Sequence, residues 1–366
     1  MSEWKEYKLG DVLNLKRGYD LPSQNRSYGS IPIFSSSGIT DYHNTAMKDG
    51  PGVITGRYGT IGKVFYTENP YWPLNTTLYV QDFKGNYPKF IFYFLQGLDL
   101  EKYSDKSAVP GINRNELHKE FVKLPPLLEQ QAISSILSNL DDKIDLLHHQ
   151  NKTIEQLAET LFRQWFIEEA EEKWQSKPLK EVCEIINGFA FKSIDYRIEG
   201  KIIIRTMNFK NGFIDLSDVV FISLEDALNY QKYHLKRFDF LLVMVGASIG
   251  KFVIVTSDVL PALQNQNMWN FRTFGKLPQH YLNFAIRTII IENLNSASGS
   301  AREFFQKGQF YKLHLPIPEQ NKLNTFNSIV EEYYSKIELN RSQIFTLTKL
   351  RDTLLPKLMN GEIRVN

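Results

Sequence analysis

Two short stretches carry the side chains best suited to reading a ligand. Gly56-Arg-Tyr-Gly-Thr-Ile-Gly-Lys63 sets Arg57 and Tyr58 between glycines at a predicted strand-to-turn junction, where side chains project freely, and ends in Lys63. Gln264-Asn-Gln-Asn267 presents four successive amides. Lysine and arginine suit phosphates, and Arg, Asn and Gln suit base edges, with amides able to grip adenine in a bidentate way. Asn75, Thr76 and Thr77 form a further polar group, as do Arg26, Ser35, Ser36 and Ser37 in a polar loop. Lys192, Arg205, Asn208, Ser248, Lys251, Arg302 and Lys307 extend the set in the second half of the chain. The same residue types also make ordinary turns and solvated surface. Of the aromatic side chains, 13% of the chain with 25 Phe, most belong in the core, with Tyr19, Tyr28 and Phe189 near glycine turns as candidates for stacking.

Catalytic chemistry is hard to find. Gly62-Lys63 and Gly250-Lys251 suggest phosphate loops, but Arg57 and Val245 stand where the earlier glycine is needed, and no Ser or Thr follows the lysine. Asn69-Pro-Tyr-Trp72 superficially resembles the Asn-Pro-Pro-Tyr of amino-methyltransferases, yet lacks the second proline and a preceding glycine-rich nucleotide loop. The histidines do not cluster, and His148-His149 are adjacent, so they cannot share one helix face as zinc ligands do. No Ser-His-Asp arrangement stands out, so the expectation is a binder with no catalytic residue, metal or cofactor of its own.

The elements that must position these residues begin with two long helices. Ile133, Leu137, Leu140, Ile144, Leu147, Ile154, Ala158, Leu161 and Trp165 recur at alternating gaps of four and three, interrupted at Asn151. A second run reads Leu323, Phe326, Val330, Tyr333, Ile337, Ile344, Leu347, Leu350, Leu354 and Leu358, interrupted at Asn340. This period buries a narrow seam, and a buried Asn within it costs stability and fixes register. No Pro or Gly falls between Leu127 and Lys177, so a rod of roughly 60 Å follows at about 1.5 Å per residue. An exposed apolar stripe of that length requires a partner, and the second run supplies one.

The remainder repeats. Trp4, Leu9, Val12 and Gly18 have counterparts 170 residues on at Trp174, Leu179, Val182 and Gly188. Gly59-Thr-Ile-Gly-Lys63 is echoed by Ala247-Ser-Ile-Gly-Lys251, Leu74–Tyr79 by Gln264–Trp269, and Ser107-Ala108 by Ser300-Ala301. Leu124-Pro-Pro with Glu129-Gln130 meets Leu315-Pro-Ile with Glu319-Gln320. Five matches in one order define block, helix, block, helix over 1–125, 126–172, 173–316 and 317–366. Each block is predicted to mix α and β, with strands at Gly52–Thr55, Lys63–Tyr66, Leu78–Val80, Lys201–Arg205, Phe240–Val245 and Phe252–Thr256, and helices at Pro88–Leu98 and Gln279–Asn293. The expected fold is α+β: two similar mixed domains separated by two long antiparallel helices in an intramolecular coiled coil, with pseudo-two-fold symmetry. The C-terminal Asn360–Val365 is expected to return near Trp4.

Composition agrees. Apolar content of 42% and charged content of 23% are those of a globular protein, and 366 residues exceed one ordinary core. One cysteine, Cys183, suits a reducing compartment, Met1–Asp11 is no signal peptide, and the longest apolar run, Phe240–Gly250, is too short to span a bilayer. A cytoplasmic location without membrane contact is expected. Residues 1–125 carry 15 basic and 13 acidic side chains, 126–172 carry 3 and 10, 173–316 carry 18 and 12, and 317–366 carry 7 and 6. The two blocks are therefore cationic and the first helix acidic, a distribution that draws a polyanion to the blocks.

In this order of motifs, from Trp4 to Val365, the chain resembles the specificity subunits of type I restriction–modification systems. The resemblance rests on Trp4–Val12 and its repeat at Trp174, Arg57–Lys63, Gly246–Lys251, the Leu-Pro-Pro…Glu-Gln-Gln helix start and Leu355–Ile363. It implies two target-recognition domains, each reading half of a split sequence in double-stranded DNA, and a helical spacer that fixes the gap. It further implies two modification subunits docked on the helices, bringing S-adenosylmethionine and adenine methylation. Two restriction subunits, using ATP and Mg, can join them. The specificity subunit itself does no chemistry. Met244-Val245 stands where Arg57-Tyr58 is expected, as two different half-sites require. A non-enzymatic coiled-coil adaptor with two ligand-binding lobes is the alternative. It differs in predicting that charge reversal at Arg57 and Lys251 leaves partner assembly and activity intact.

Overall fold

The computed structural model describes residues 3–103, 111–210, 212–296 and 306–365, the side chains of 295 and 296 excepted. The chain forms two compact units, Met1–Asp145 with Phe345–Asn366, and Leu146–Ile344.

Unit one opens with β1 (Lys5–Lys8), α1 (Leu9–Val12) and β2 (Asn14–Arg17), followed by β3 (Ile31–Ser35), β4 (Gly38–His43) and β5 (Gly52–Gly56). Then come β6 (Val64–Thr67), β7 (Trp72–Pro73), β8 (Thr77–Asp82), α2 (Pro88–Gly97), α3 (Arg114–Leu117) and β9 (Phe121–Leu124). An antiparallel sheet runs β2-β8-β5-β6, and a second runs β4-β3-β7 with β3 and β7 parallel. Every residue of β5 is buried, the polar Thr55 included, whereas the edge strands β2 and β6 are mixed. Pro88, with its fixed φ, starts α2, whose Phe90, Ile91 and Phe94 face the core. After β9 the long helix α4 (Leu127–Arg163) begins, and its Ile133 and Leu137 close that core.

Unit two contains β10 (Gln175–Pro178), β11 (Cys183–Asn187), β12 (Lys201–Ile204), the hairpin β13 (Phe209–Lys210) and β14 (Phe213–Ile214), β15 (Val220–Ile222), α5 (Leu224–Ala227) and β16 (Phe240–Val243). It continues through β17 (Phe252–Ile254), β18 (Ala262–Gln264), β19 (Met268–Thr273), α6 (Gln279–Ser296), α7 (Lys307–Lys312), β20 (His314–Ile317) and the long α8 (Gln320–Met359). Its sheets run β11-β19-β16-β17 and β15-β12-β18, with β12 and β18 parallel, and β10 pairs with β20 as β1 pairs with β9. Strand for strand this is the order of unit one; the β13–β14 hairpin is an addition.

The repeat therefore holds in topology, and its glycines do the same work. A Cβ on Gly18 would lie 2.2 Å from the Leu74 carbonyl oxygen, and one on Gly188 1.7 Å from that of Asn265, so neither site admits a side chain. One match is out of step. Strand register puts Leu124 opposite Lys5 and Ile317 opposite Gln175, so Glu319 precedes its helix whereas Glu129 lies inside one. Ser107-Ala108 and Ser300-Ala301 lie outside the described residues.

The two long helices pair antiparallel. In unit one, Asp141 of α4 accepts from Tyr93 Oη (2.6 Å) and from Arg351 Nη1 of α8 (2.9 Å). In unit two, the two interruptions of the apolar seams meet: Asn340 Nδ2 donates to Asn151 Oδ1 at 2.8 Å, both side chains buried. Nearby, Arg237 forks onto Glu338 (3.0 and 2.8 Å), which also accepts from the Ser257 amide at 2.7 Å.

The seams drift from strict spacing. Phe162 and Phe166 are buried where Leu161 and Trp165 are only half-buried: Phe162 packs on Tyr281, Phe284 and Phe326, and Phe166, within the π-turn Gln164–Glu168, packs on Tyr281 and Phe326. On α8, Tyr334 replaces Tyr333 as the buried ring and Leu350 is 45% exposed. The C-terminal segment returns to Trp4 as expected: Arg364 lies 5.6 Å over the Trp4 ring and pairs with Glu129 at 2.7 Å.

Two outcomes follow. Asn340→Ala leaves Asn151 Oδ1 buried without its donor and lowers stability by about 1–3 kcal/mol in denaturant unfolding. Asn151→Leu with Asn340→Leu recovers that loss, and a double-mutant cycle measures the coupling. The second concerns Glu155, beside Arg287, Glu159 and Arg341. Burial pushes its carboxyl up to about 7, with Arg287 opposing and Glu159 reinforcing the shift. The folded chain therefore holds this proton longer than the unfolded chain does. The stabilisation is complete below about 4.5 and is lost as pH rises to about 7. Glu155→Gln removes this slope and raises stability at pH 8 by about 1–2 kcal/mol, read from melting curves between pH 5 and 8; parallel curves would refute it.

Candidate nucleic-acid interface

The junction between β5 and β6 is built by backbone bonds that leave its side chains free. The amides of Arg57 and Tyr58 both donate to the Thr76 carbonyl, at 2.8 and 3.2 Å, and the Arg57 carbonyl accepts from Ile112 at 3.0 Å. The Arg57 guanidinium stacks 4.4 Å over the Tyr58 ring and donates to its hydroxyl at 3.1 Å. Gly111 lies against that ring: a Cβ there would be 2.2 Å from Tyr58 Cε1. Ser36 Oγ reaches the same turn, 3.3 Å from where a Cβ on Gly59 would stand. Thr76 is half-buried beneath, and Lys63 is exposed at the end of the turn. Arg57, Tyr58, Ser36 and Thr76 thus come together.

Unit two repeats the junction between β16 and β17 with other side chains. Met244 donates to the Asn267 carbonyl at 3.2 Å, as Arg57 does to Thr76. Gly246 and Gly250 take the left-handed backbone of Gly59 and Gly62, with φ of 82° and 85° against 78° and 86°. Val245 is exposed where Tyr58 stands in unit one, and Ser248 and Lys251 follow at the rim.

Several candidates prove to be structural. Asn208 is buried, accepting from the Arg205 amide (2.9 Å) and donating to the carbonyls of Asp215 (3.1 Å) and Asp218 (2.7 Å), so no donor remains for a base. Gln264 is buried and spans the carbonyls of Ile186 (3.1 Å) and Met268 (3.0 Å). Asn265 turns inward and accepts from the Gln266 amide at 2.8 Å. Of the four amides only Gln266 and Asn267 face outward: Gln264 and Asn265 are both buried, and the chain turns at Asn267, whose φ is 70°. Arg26 is held by Asp41 at 3.0 Å, Arg205 by Asp218 at 3.0 Å, and Asn75 by Asp20. Lys192 is exposed, and Lys307 lies 5.5 Å over the Tyr311 ring. Arg302 lies outside the described residues. Among the aromatic candidates Tyr28 is fully exposed, Tyr19 is bonded to the Tyr79 hydroxyl at 2.9 Å, and Phe189 packs on Tyr230 and Tyr233.

The structure adds residues the sequence reading missed. Arg17 and Arg114 share a cleft of about 340 Å³ with Arg57 and Tyr58. Arg114 donates to the Leu15 carbonyl at 3.3 Å, and His118, one turn on, accepts from the Leu15 amide at 3.0 Å. Burial lowers the pKa of His118, with Arg114 adding to the effect, which keeps the ring neutral and able to accept. Gly111-Ile-Asn-Arg114 lies 54 residues beyond Arg57, with no local pattern to mark it.

The two units thus share one α+β scaffold and present different side chains at the same junction. The family model described as the type I restriction modification DNA specificity domain matches residues 1–156 and 171–349. The chain belongs to this family of DNA sequence-specificity subunits. It is 24% identical to the type I restriction enzyme MjaIX specificity subunit of Methanocaldococcus jannaschii, over 99% of this chain and 94% of that one. It is 23% identical to the HindI specificity subunit of Haemophilus influenzae, over 99% and 100%. In fold it is similar to the crystal structure of the type I restriction–modification S subunit from M. genitalium, with a TM-score of 0.65, 16% identity and coverage of 98% of this chain and 96% of that one. No helix among the described residues is long and apolar enough to cross a membrane.

Gly111→Ala drives a methyl into the Tyr58 ring, so it costs about 1–3 kcal/mol by overpacking. The same change unseats Arg57 and weakens duplex affinity in a filter-binding or anisotropy titration. An unchanged melting temperature and affinity would show that the Tyr58 ring is not fixed there.

Proposed function

We propose that each unit reads one part of a split sequence in double-stranded DNA, in the cytoplasm, and that the chain thereby directs adenine methylation or cleavage by partner subunits. The observation that carries this is the pair of matched junctions. One strand order and one backbone bond hold Arg57-Tyr58 in unit one and Met244-Val245 in unit two, so the scaffold is common and the reading surface differs. In unit one, Arg57, Tyr58, Ser36, Thr76 and Lys63 approach the duplex; in unit two, Ser248, Lys251, Gln266, Lys192 and Lys307 do so. Lysines and arginines take phosphates, and Gln266 takes a base edge.

The catalytic groups come with the partners. Two modification subunits dock on the long helices and supply S-adenosylmethionine and the methylating site. Two restriction subunits can join with ATP and Mg. The chain's own contribution is affinity and register on the duplex.

The test is to coexpress the chain with its modification subunits and map N6-methyladenine across the host genome. The expected pattern is one gapped motif. Gln266→Ala relaxes the motif at one position of one part, with about 1–3 kcal/mol of discrimination lost there, and leaves the other part intact. An ungapped or random pattern, or methyl transfer by the purified chain alone, would overturn the proposal.

A further inference from the structure

Arginines in this chain are characteristically neutralised: Arg237, Arg272, Arg351 and Arg364 each lie against a carboxylate. Among the described residues, Arg57, Arg114 and Arg197 have no acidic side chain within salt-bridge distance, and two of these three line the same cleft. A third arginine, Arg17, lines it as well, held only by a 3.7 Å contact to an exposed Asp20 whose carboxylate also accepts from Asn75. Among the described residues no carboxylate lines this cleft of about 340 Å³; its remaining walls include Tyr58, Asn113 and Asn115.

Three guanidinium groups around one opening repel one another unless an anion sits between them. They are nonetheless held in place. Arg57 is stacked on Tyr58 and bonded to its hydroxyl, and Arg114 is tied to the Leu15 carbonyl. Each uses only part of its five-donor fork on the protein, which leaves the rest directed to a ligand. A planar fork with ordered donors matches phosphate oxygens two at a time.

The described residues of unit two lack the arrangement. Asn187 precedes Gly188 where Arg17 precedes Gly18, and Met244 stands for Arg57. Lys307 lies three residues before the buried Phe310, as Arg114 lies three before the buried Leu117. Among the described residues, one cation stands where unit one has three.

We infer that the Arg17–Arg57–Arg114 cleft is a clamp for a backbone phosphate of the duplex, present in unit one and without a counterpart among the described residues of unit two. The inference rests on the DNA-reading role proposed above, and it joins Arg57 to Arg17 and Arg114 on one shared phosphate. Unit one then supplies sequence-independent grip, and unit two contributes less of it.

The test uses the chain in complex with its modification subunits, titrated against a duplex carrying the methylated motif and one without it, at 50 to 300 mM NaCl. Arg57→Gln with Arg114→Gln is expected to weaken binding to both duplexes by a similar factor, about 10- to 100-fold at low salt. The slope of log affinity against log salt should fall in magnitude by about 1–2, while the methylated motif stays the same. Arg57→Lys with Arg114→Lys retains the slope, which separates lost charge from lost folding. An unchanged slope in the Gln variant overturns the clamp, as does a motif that changes at one base while the slope holds, since that assigns Arg57 to base reading. A parent complex with no salt-sensitive duplex affinity would instead remove the DNA-reading role, and the clamp with it.

Discussion

The hydrogen bond between Asn151 and Asn340 fixes how the long helices meet in unit two. The seam around it is apolar and would tolerate sliding by one turn, since one leucine is much like another to its neighbours. An amide would not. Moved by a turn, each Asn would be buried against hydrocarbon at a cost of several kcal/mol. Only one register joins the two amides at 2.8 Å, and Asn340 Oδ1 is left without a partner even then. That register also brings Glu338 to Arg237 and to the Ser257 amide, so the sheet is referenced to α8 through the same choice. In unit one the comparable fixing is ionic: Asp141 joins Tyr93 of α2 to Arg351 of α8.

From these supports the two sheets present their loops. Specificity of this kind requires that side chains change while the backbone beneath them does not. The bond from the first junction residue to a carbonyl of the neighbouring segment achieves this, because it involves main-chain atoms alone. Arg57 and Met244 make it equally well despite having nothing else in common. The left-handed glycines that follow turn the chain back in both units, with one additional residue in unit two.

Much of this was legible in the residue order. The long helices announced themselves through their period, and the two Asn gaps marked the pair that now meets. The repeat was visible in Trp4 and Trp174, in Gly18 and Gly188, and in the Ile-Gly-Lys motifs, because each occupies a place where packing or backbone approach admits few alternatives. What stayed hidden has a common cause. Gln264, Asn265 and Asn208 are polar, and polarity alone does not reveal whether an amide faces solvent or bridges two carbonyls inside; that depends on tertiary partners such as Ile186 and Asp218. The seam shift from Leu161 to Phe162 and from Trp165 to Phe166 follows the rings that meet it from other elements, Tyr281, Phe284 and Phe326, which no local spacing marks. Arg114 and Gly111 reach Arg57 only through the tertiary fold, and the cleft they form has no signature in spacing.

The division of the chain between its units sets an order of assembly. Leu146–Ile344 is one uninterrupted stretch, whereas the other unit joins Met1–Asp145 to Phe345–Asn366. On a ribosome the interrupted unit is made first and finished last. Ile133 and Leu137 of α4 emerge early, and Leu358 and Met359, which complete the same core, emerge only after the whole intervening unit has been synthesised. At about 5–20 residues per second the delay is on the order of ten seconds or more, during which an apolar face lies open to solvent. The nascent chain is therefore most vulnerable to aggregation and chaperone capture while Met1–Asp145 waits for Phe345–Asn366, and a frameshift within that later segment would damage the unit that the earlier one began.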